Sequence, residues 1–475
     1  MLAKIGDTAY YTMDEAFHAV QEGETIVMQR DYTTGAEQYS GSKSFAIDLN
    51  GKTWTYTGTN TNHAAFEINY PNVTLTVKNG TVVSNSMVGL IPSAMGVGGP
   101  ITYDNAGLVF EGVDMTANGH SGIETNGNNT NDTVKLVNSE LNVPNGFGIY
   151  FPSSGTLTIE NSTINAKTMG VQVCAGSLSI NAGSAITVTG DAVSKTENDG
   201  AIQDGAAISI VNRTGYKGLE NVTVTGGKFK SNGTNAAIKA YDWDNTNKVE
   251  KTFTANDKVA VSGGTFSSAV KEEYCAPGYI PTTNADGTFG VKEGVYVAKV
   301  DNVKYETLQA AINAAKGGST VRLLANVTLT ETAVFPAGKT VHLNLVGHSI
   351  TATGTALRIN GKTDIQSTDG VGTIESTGNV AVAVGNNASL TVYSGTLKGR
   401  EGAVITGTST GAKIEIRKNA TLIATDNAVI AGNGSQRDGN PNTILVKGGT
   451  FNGGIVTDGY IACGIYAPWN DSVTV

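Results

Sequence analysis

Two carboxylates form the best pair for acid–base chemistry in this sequence. Aligning the strand phrases that begin at Leu108 and Val134 places Asp114 over Glu140, one repeat apart. If the repeats stack as strands, their separation is about 4.8 Å. Carboxylates that close perturb each other and can share a proton, and enzymes cleaving polysaccharides gather carboxylates from neighbouring coils on one face. The plainer reading is two side chains facing water, because neither a clustered third acid nor a neighbouring Arg accompanies them. The remaining candidates are aromatic. Tyr241-Asp242-Trp243-Asp244 interrupts the repeat between phrases at Val222 and Val259, and Tyr466 with Trp469 forms a similar group near the end. Such rings beside acids can stack on sugars or anchor a protein partner. Equally, each Trp can fold back and shield the stack.

Other patterns fail on context. Gly407-Thr408-Ser409-Thr410-Gly411 fits a nucleophile elbow, but a strand follows where a helix is needed and no His follows His348. Gly-Lys-Thr at Gly51, Gly338 and Gly361 lacks the earlier glycine of a phosphate loop. His18, His63, His120, His342 and His348 show no metal-ligand spacing, so no metal or cofactor is expected. Cys174, Cys275 and Cys463 are too few for a disulfide framework. A net charge of -9 argues against nucleic acid, and no apolar run is long enough to span a membrane.

The elements that position these residues repeat one phrase. Leu157-Thr158-Ile159-Glu160-Asn161-Ser162-Thr163-Ile164 alternates apolar and polar residues, then bends at Asn-Ser. It recurs from Leu108, Val134, Leu178, Val222, Val259, Leu390 and Ile414, with early spacings of 26, 23 and 21 residues. A drifting period in the low twenties is the signature of an all-β solenoid, a β-helix. Sixty glycines and 15% charged residues suit short strands and tight turns. The same alignment stacks Asn138 over Asn161 and Asn142 over Asn165, which predicts amide ladders. Thr-rich strands raise ice binding, but the coil lengths vary too much for a regular array.

The opening is duplicated. Thr12 to Gly23 reads as a capped helix, followed by strands at Thr25–Met28 and Phe45–Gly51. Thr307 to Gly318, Thr320–Leu324 and Val341–Gly347 repeat that plan. The chain therefore divides into residues 1–297 and 298–475, each module opened by a short capping helix. Residues 267–297 are expected to form a closing hairpin around Asn284-Ala285-Asp286-Gly287. The second module shows no such hairpin, and its last residues repeat only part of a coil, as in a fragment of a longer protein.

The phrases Tyr305…Thr307-Leu308-Gln309-Ala310-Ala311-Ile312…Gly318 and Ser262-Gly263-Gly264-Thr265-Phe266 resemble the adhesin-like β-helix surface proteins of gut-dwelling Gram-positive bacteria. The resemblance spans nearly the whole chain, but its motifs specify architecture. It implies a right-handed parallel β-helix in tandem modules, secreted or at the bacterial cell surface. The function it implies is non-enzymatic binding of a host macromolecule, a glycan or a glycoprotein such as an immunoglobulin, through a lateral face. Ligand contact would then fall to Tyr241, Asp242, Trp243, Asp244, Tyr466 and Trp469. The alternative is a carbohydrate-active enzyme, a lyase or hydrolase, with Asp114 and Glu140 at its centre. A third reading is a passive stalk. A groove lined with acids and aromatics favours the enzyme, a flat face with exposed Tyr and Trp favours the binder, and a bland polar face favours the stalk. Oligomeric state is not legible.

Overall fold

Alternation sends every second side chain of a strand to one side, so stacking identical phrases builds a continuous apolar interior. The computed structural model describes residues 1–193, 200–432, 440–454, 462–468 and 470–475. The fold is all-β, a right-handed parallel β-helix with almost no helix. Ile26, Ile47, Val77, Phe110, Leu136, Ile159, Ile180, Val224 and Val261 form one in-register column. Every member is fully buried. Ile159→Val should cost about 1 kcal/mol by removing one methylene from this packed column. Thr158→Val on the outer side should stay within about 0.5 kcal/mol. Urea denaturation of the two variants checks the inside–outside assignment.

The phrase turns a corner at its asparagines. Gly107–Ala117 pairs before its bend with Thr130–Val137 and after it with Glu140–Val143, so one sheet supplies two faces. Asn138 and Asn161 adopt φ of 48° and 46°, left-handed backbone that Asn tolerates better than most residues. Asn161 Nδ2 donates to Asn138 Oδ1 at 2.6 Å, and Asn165 Nδ2 donates to Asn142 Oδ1 at 2.9 Å. Both ladders stand where the register places them. A further ladder, Asn131 to Asn105 to Asn72, occupies another bend at 3.2 and 2.8 Å.

A solenoid end exposes unpaired strand edges. In the unit Met1–Glu293 the helix Met13–Ala19 carries a full capping box between Thr12 and Glu15, and it buries Met13 and Ala16. The helix does not cover the edge alone. Ala3–Ile5 lies antiparallel along Thr25–Met28 and occupies its open side. At the other end Phe289–Glu293 pairs antiparallel with Tyr279–Thr283 and with Thr265 and Phe266, closing the stack.

The unit Gly294–Val475 starts alike, with helix Leu308–Ala314 capped by Thr307 and Ala298–Val300 along Ser319–Leu323. Here Gln309 acts as a strand substitute. Its amide accepts from Val334 N at 2.7 Å and donates to Val334 O at 3.0 Å, pairing the edge of Ala333–Phe335.

Among the described residues no helix is long and apolar enough to cross a membrane.

Candidate functional site

A separate sheet forms the third face of the first unit, and its strands carry the chemistry. They include Ala64–Glu67, Met87–Ile91, Ser121–Thr125, Phe147–Phe151, Met169–Val173, Ile208–Arg213 and Ile238–Asp244. Apolar residues such as Phe66, Ile123, Ile149 and Val171 point inward and are fully buried. Alternation therefore presents an outward column of Glu67, Leu90, Glu124, Tyr150, Gln172, Ser209 and Lys239. Glu124 and Tyr150 are adjacent in that column. Glu67 and Glu124 stand two strand spacings apart, roughly 9.6 Å between Cα atoms, with Leu90 between them.

Both glutamates are held by a histidine four residues earlier. Glu124 Oε1 accepts from Ser121 Oγ at 2.6 Å and contacts His120 Nε2 at 3.0 Å. Glu67 Oε1 accepts from Ala64 N at 2.8 Å and contacts His63 Nδ1 at 2.9 Å. Glu67 is buried, and burial raises its carboxyl above the usual carboxylate range. The repeated pattern His63-x-x-x-Glu67 and His120-x-x-x-Glu124 is visible in sequence as a pair of matching phrases. A search for metal spacing passes over it.

Beside Glu124 lies a recess of about 460 Å³, lined by Glu124, Thr125, Asn126, Asn128, Tyr150, Pro152 and Tyr216 among others. Its aromatic wall is pinned. The Tyr150 and Tyr216 hydroxyls meet at 3.0 Å, Arg213 Nη1 donates to the Tyr150 hydroxyl at 3.0 Å, and the guanidinium lies 5.0 Å from the Tyr216 ring centre. Tyr150 is almost wholly covered and its phenol stays protonated, because burial disfavours the phenolate. Thr125 is buried, and its hydroxyl has no hydrogen-bond partner among the described residues.

The opposite wall is organised by Asn129. Its amide donates to Pro92 O at 3.0 Å and Asp132 Oδ2 at 3.2 Å, and its Oδ1 accepts from Tyr103 N at 3.1 Å. Lys217 Nζ donates to the carbonyls of Asn128 and Asn129 at 3.0 and 3.2 Å. Asp132 is fully buried, and its Oδ1 makes no hydrogen bond among the described residues. Burial pushes its carboxyl up to about 7.

The structure places the residues singled out from sequence elsewhere. Asp114 and Glu140 are register partners on a different face. Glu140 Oε1 accepts from the amides of Asn142 and Asn165 at 2.9 and 3.3 Å. The shallow hollow beside that pair is lined by Thr116, Asn142, Val143, Pro144, Asn165, Ala166 and Thr189, without aromatic or basic residues. The chemistry available there is that of an amide–carboxylate network.

Tyr241 and Trp243 belong to the strand Ile238–Asp244, where the sequence suggested an excursion from the coil. They are only 3% and 5% exposed. Residues Ala201 and Ile202 fold over this face and join them with Phe147, Tyr150, Met169 and Val211 in a satellite core outside the solenoid. The Tyr241 hydroxyl donates to Asp204 Oδ2 at 3.0 Å, and burial leaves neither ring a free face for stacking. Asp242 accepts from Asn212 and Thr254, while Asp244 accepts from Thr246 and Asn247 in the turn to Val249–Lys251. In the second unit Tyr466 is 47% exposed at the end of Ile465–Tyr466, and Trp469 lies outside the described residues. Among the described residues no group of three or more His, Cys, Asp or Glu could hold a metal ion.

No family model matches the chain, and no curated protein does. Among solved structures it is similar to the PL6 family alginate lyase AlyGC and a mutant of it, each at 10% identity. The match to the mutant covers 93% of this chain and 79% of the other, with a TM-score of 0.19. The match to AlyGC covers 97% and 99%, with a TM-score of 0.14. At that identity and those TM-scores the likeness carries no argument about activity.

Proposed function

We propose that the first unit is a carbohydrate-active β-helix whose third face receives a glycan chain at the Glu124 recess and hydrolyses it. The observation that carries this reading is a recess combining a carboxylate held by His120 and Ser121 with the ring of Tyr216 and the side chains of Asn126 and Asn128. Sugars are recognised by such mixtures of stacking rings and convergent hydrogen-bonding groups. Glu124 would serve as the base that activates water. Glu67, whose burial favours the protonated form, would serve as the acid. Carboxyls in inverting hydrolases stand about 6.5–9.5 Å apart, leaving room for water. The Cα atoms of Glu67 and Glu124 lie two strand spacings apart, on either side of Leu90.

One observation favours a second reading, glycan binding without turnover. Glu124 is the one carboxylate among the residues that line the recess itself, and Glu67 is covered. Incubating the chain with a panel of polysaccharides separates the two. New reducing ends are expected. Saturable binding without cleavage would replace the enzyme by the binder, and silence on both counts would leave a stalk.

A further inference from the structure

We infer that the recess takes an uncharged glycan, built from neutral hexoses or N-acetylated sugars, and rejects uronate and sulfated polymers. The inference rests on the reading of the recess as a glycan site and names the class of sugar it takes. The positive charge beside the recess is already committed to its walls. A polyanionic sugar needs a cation, or a cluster of donors, to replace the water taken from its carboxylate or sulfate.

Among the described residues two basic side chains, Arg213 and Lys217, adjoin the recess, and both are engaged. Arg213 donates to the Tyr150 hydroxyl, to Gly200 O at 2.7 Å and to Asn245 Oδ1 at 3.1 Å, beneath the ring of Tyr216. Lys217 holds the carbonyls of Asn128 and Asn129. Freeing either would dismantle a wall of the recess. His120 is committed to Glu124.

Among the described residues, what remains to meet a ligand is neutral or negative. Glu124 can accept from sugar hydroxyls, and the amides of Asn126 and Asn128 can donate and accept. Tyr216 is half-buried and lines the recess. These groups match sugar hydroxyls and acetamido groups. A sugar carboxylate near Glu124 would be repelled, and the net charge of -9 adds a field of the same sign.

The test measures affinity of the whole chain for neutral glucan, mannan and N-acetylglucosamine oligomers against polygalacturonate and a sulfated galactan of matched length. Neutral oligomers are expected to bind tighter by about tenfold or more, a difference of roughly 1.4 kcal/mol, and to be insensitive to added salt. Tyr216→Ala should abolish that binding with an unchanged circular dichroism spectrum. Glu124→Gln should narrow the gap by improving the acidic polymers. Tighter, salt-sensitive binding of an acidic polymer, lost in Tyr216→Ala, overturns the inference and leaves the glycan site standing. Absence of binding to every glycan overturns the site and the inference together.

Discussion

Replacing Glu124 by Gln is expected to lower glycan turnover by about a hundredfold or more while leaving substrate binding nearly intact. The amide keeps the shape of the side chain and can still meet Ser121 and His120, which hold the carboxylate at 2.6 and 3.0 Å. It cannot accept a proton from water. The loss should therefore appear in kcat rather than KM. Glu67→Gln should give a comparable loss, with a different pH profile, because removing the acid and removing the base affect opposite limbs. Product stereochemistry supplies an independent check, since a base that activates water directly gives inversion. A Glu124→Gln protein that cleaves at the wild-type rate would sink the assignment of this recess as the active site.

The second large effect concerns stability. The Asp132 carboxyl is raised by burial from 3.8 in a free chain to about 7 in the fold. Above about pH 7 the folded state carries a buried carboxylate, and the full penalty applies. Below about pH 4 both states are protonated, and the penalty vanishes. Stability of the first unit should thus fall as pH rises through this window, by up to about 4 kcal/mol from this group.

Asp132→Asn removes the charge and keeps the shape. It should be more stable than wild type at pH 8 by a few kcal/mol and no more stable at pH 4. Urea unfolding of both proteins across that range isolates the contribution of one side chain. Parallel pH dependences in the two proteins would show that Asp132 does not carry it. Because Asp132 orients Asn129, and Asn129 holds Pro92 O and Tyr103 N, the same titration bears on the wall of the recess.

The architecture was legible because its determinants are local and repeated. Period-two alternation marks the strands, and the phrases beginning at Leu108, Val134, Leu157 and Leu178 stack in the register that alignment implies. Asn at the bend is readable for the same reason. Asn138 and Asn161 adopt left-handed backbone at their corner, and the amide of one coil meets the amide of the next. Thr12 and Glu15 announced their helix through a four-residue capping pattern.

The site was not legible, for two physical reasons. Coils of unequal length decide which loops become neighbours, so Asn126 and Tyr216 meet across a recess although ninety residues separate them in the chain. Exposure is likewise a property of what folds over a face. Tyr241 and Trp243 have the composition of a binding loop, yet Ala201 and Ile202 cover them. The histidine–glutamate phrases at 63–67 and 120–124 were present in the sequence from the start. Only stacking of their strands, with Leu90 between, turned two separate phrases into one column. Sequence alone determined the coil, its bends and the capping helices, because these depend on local patterns and contacts between adjacent repeats. Tertiary structure decided where the acids, rings and amides converge, because that depends on the lengths of the loops between them.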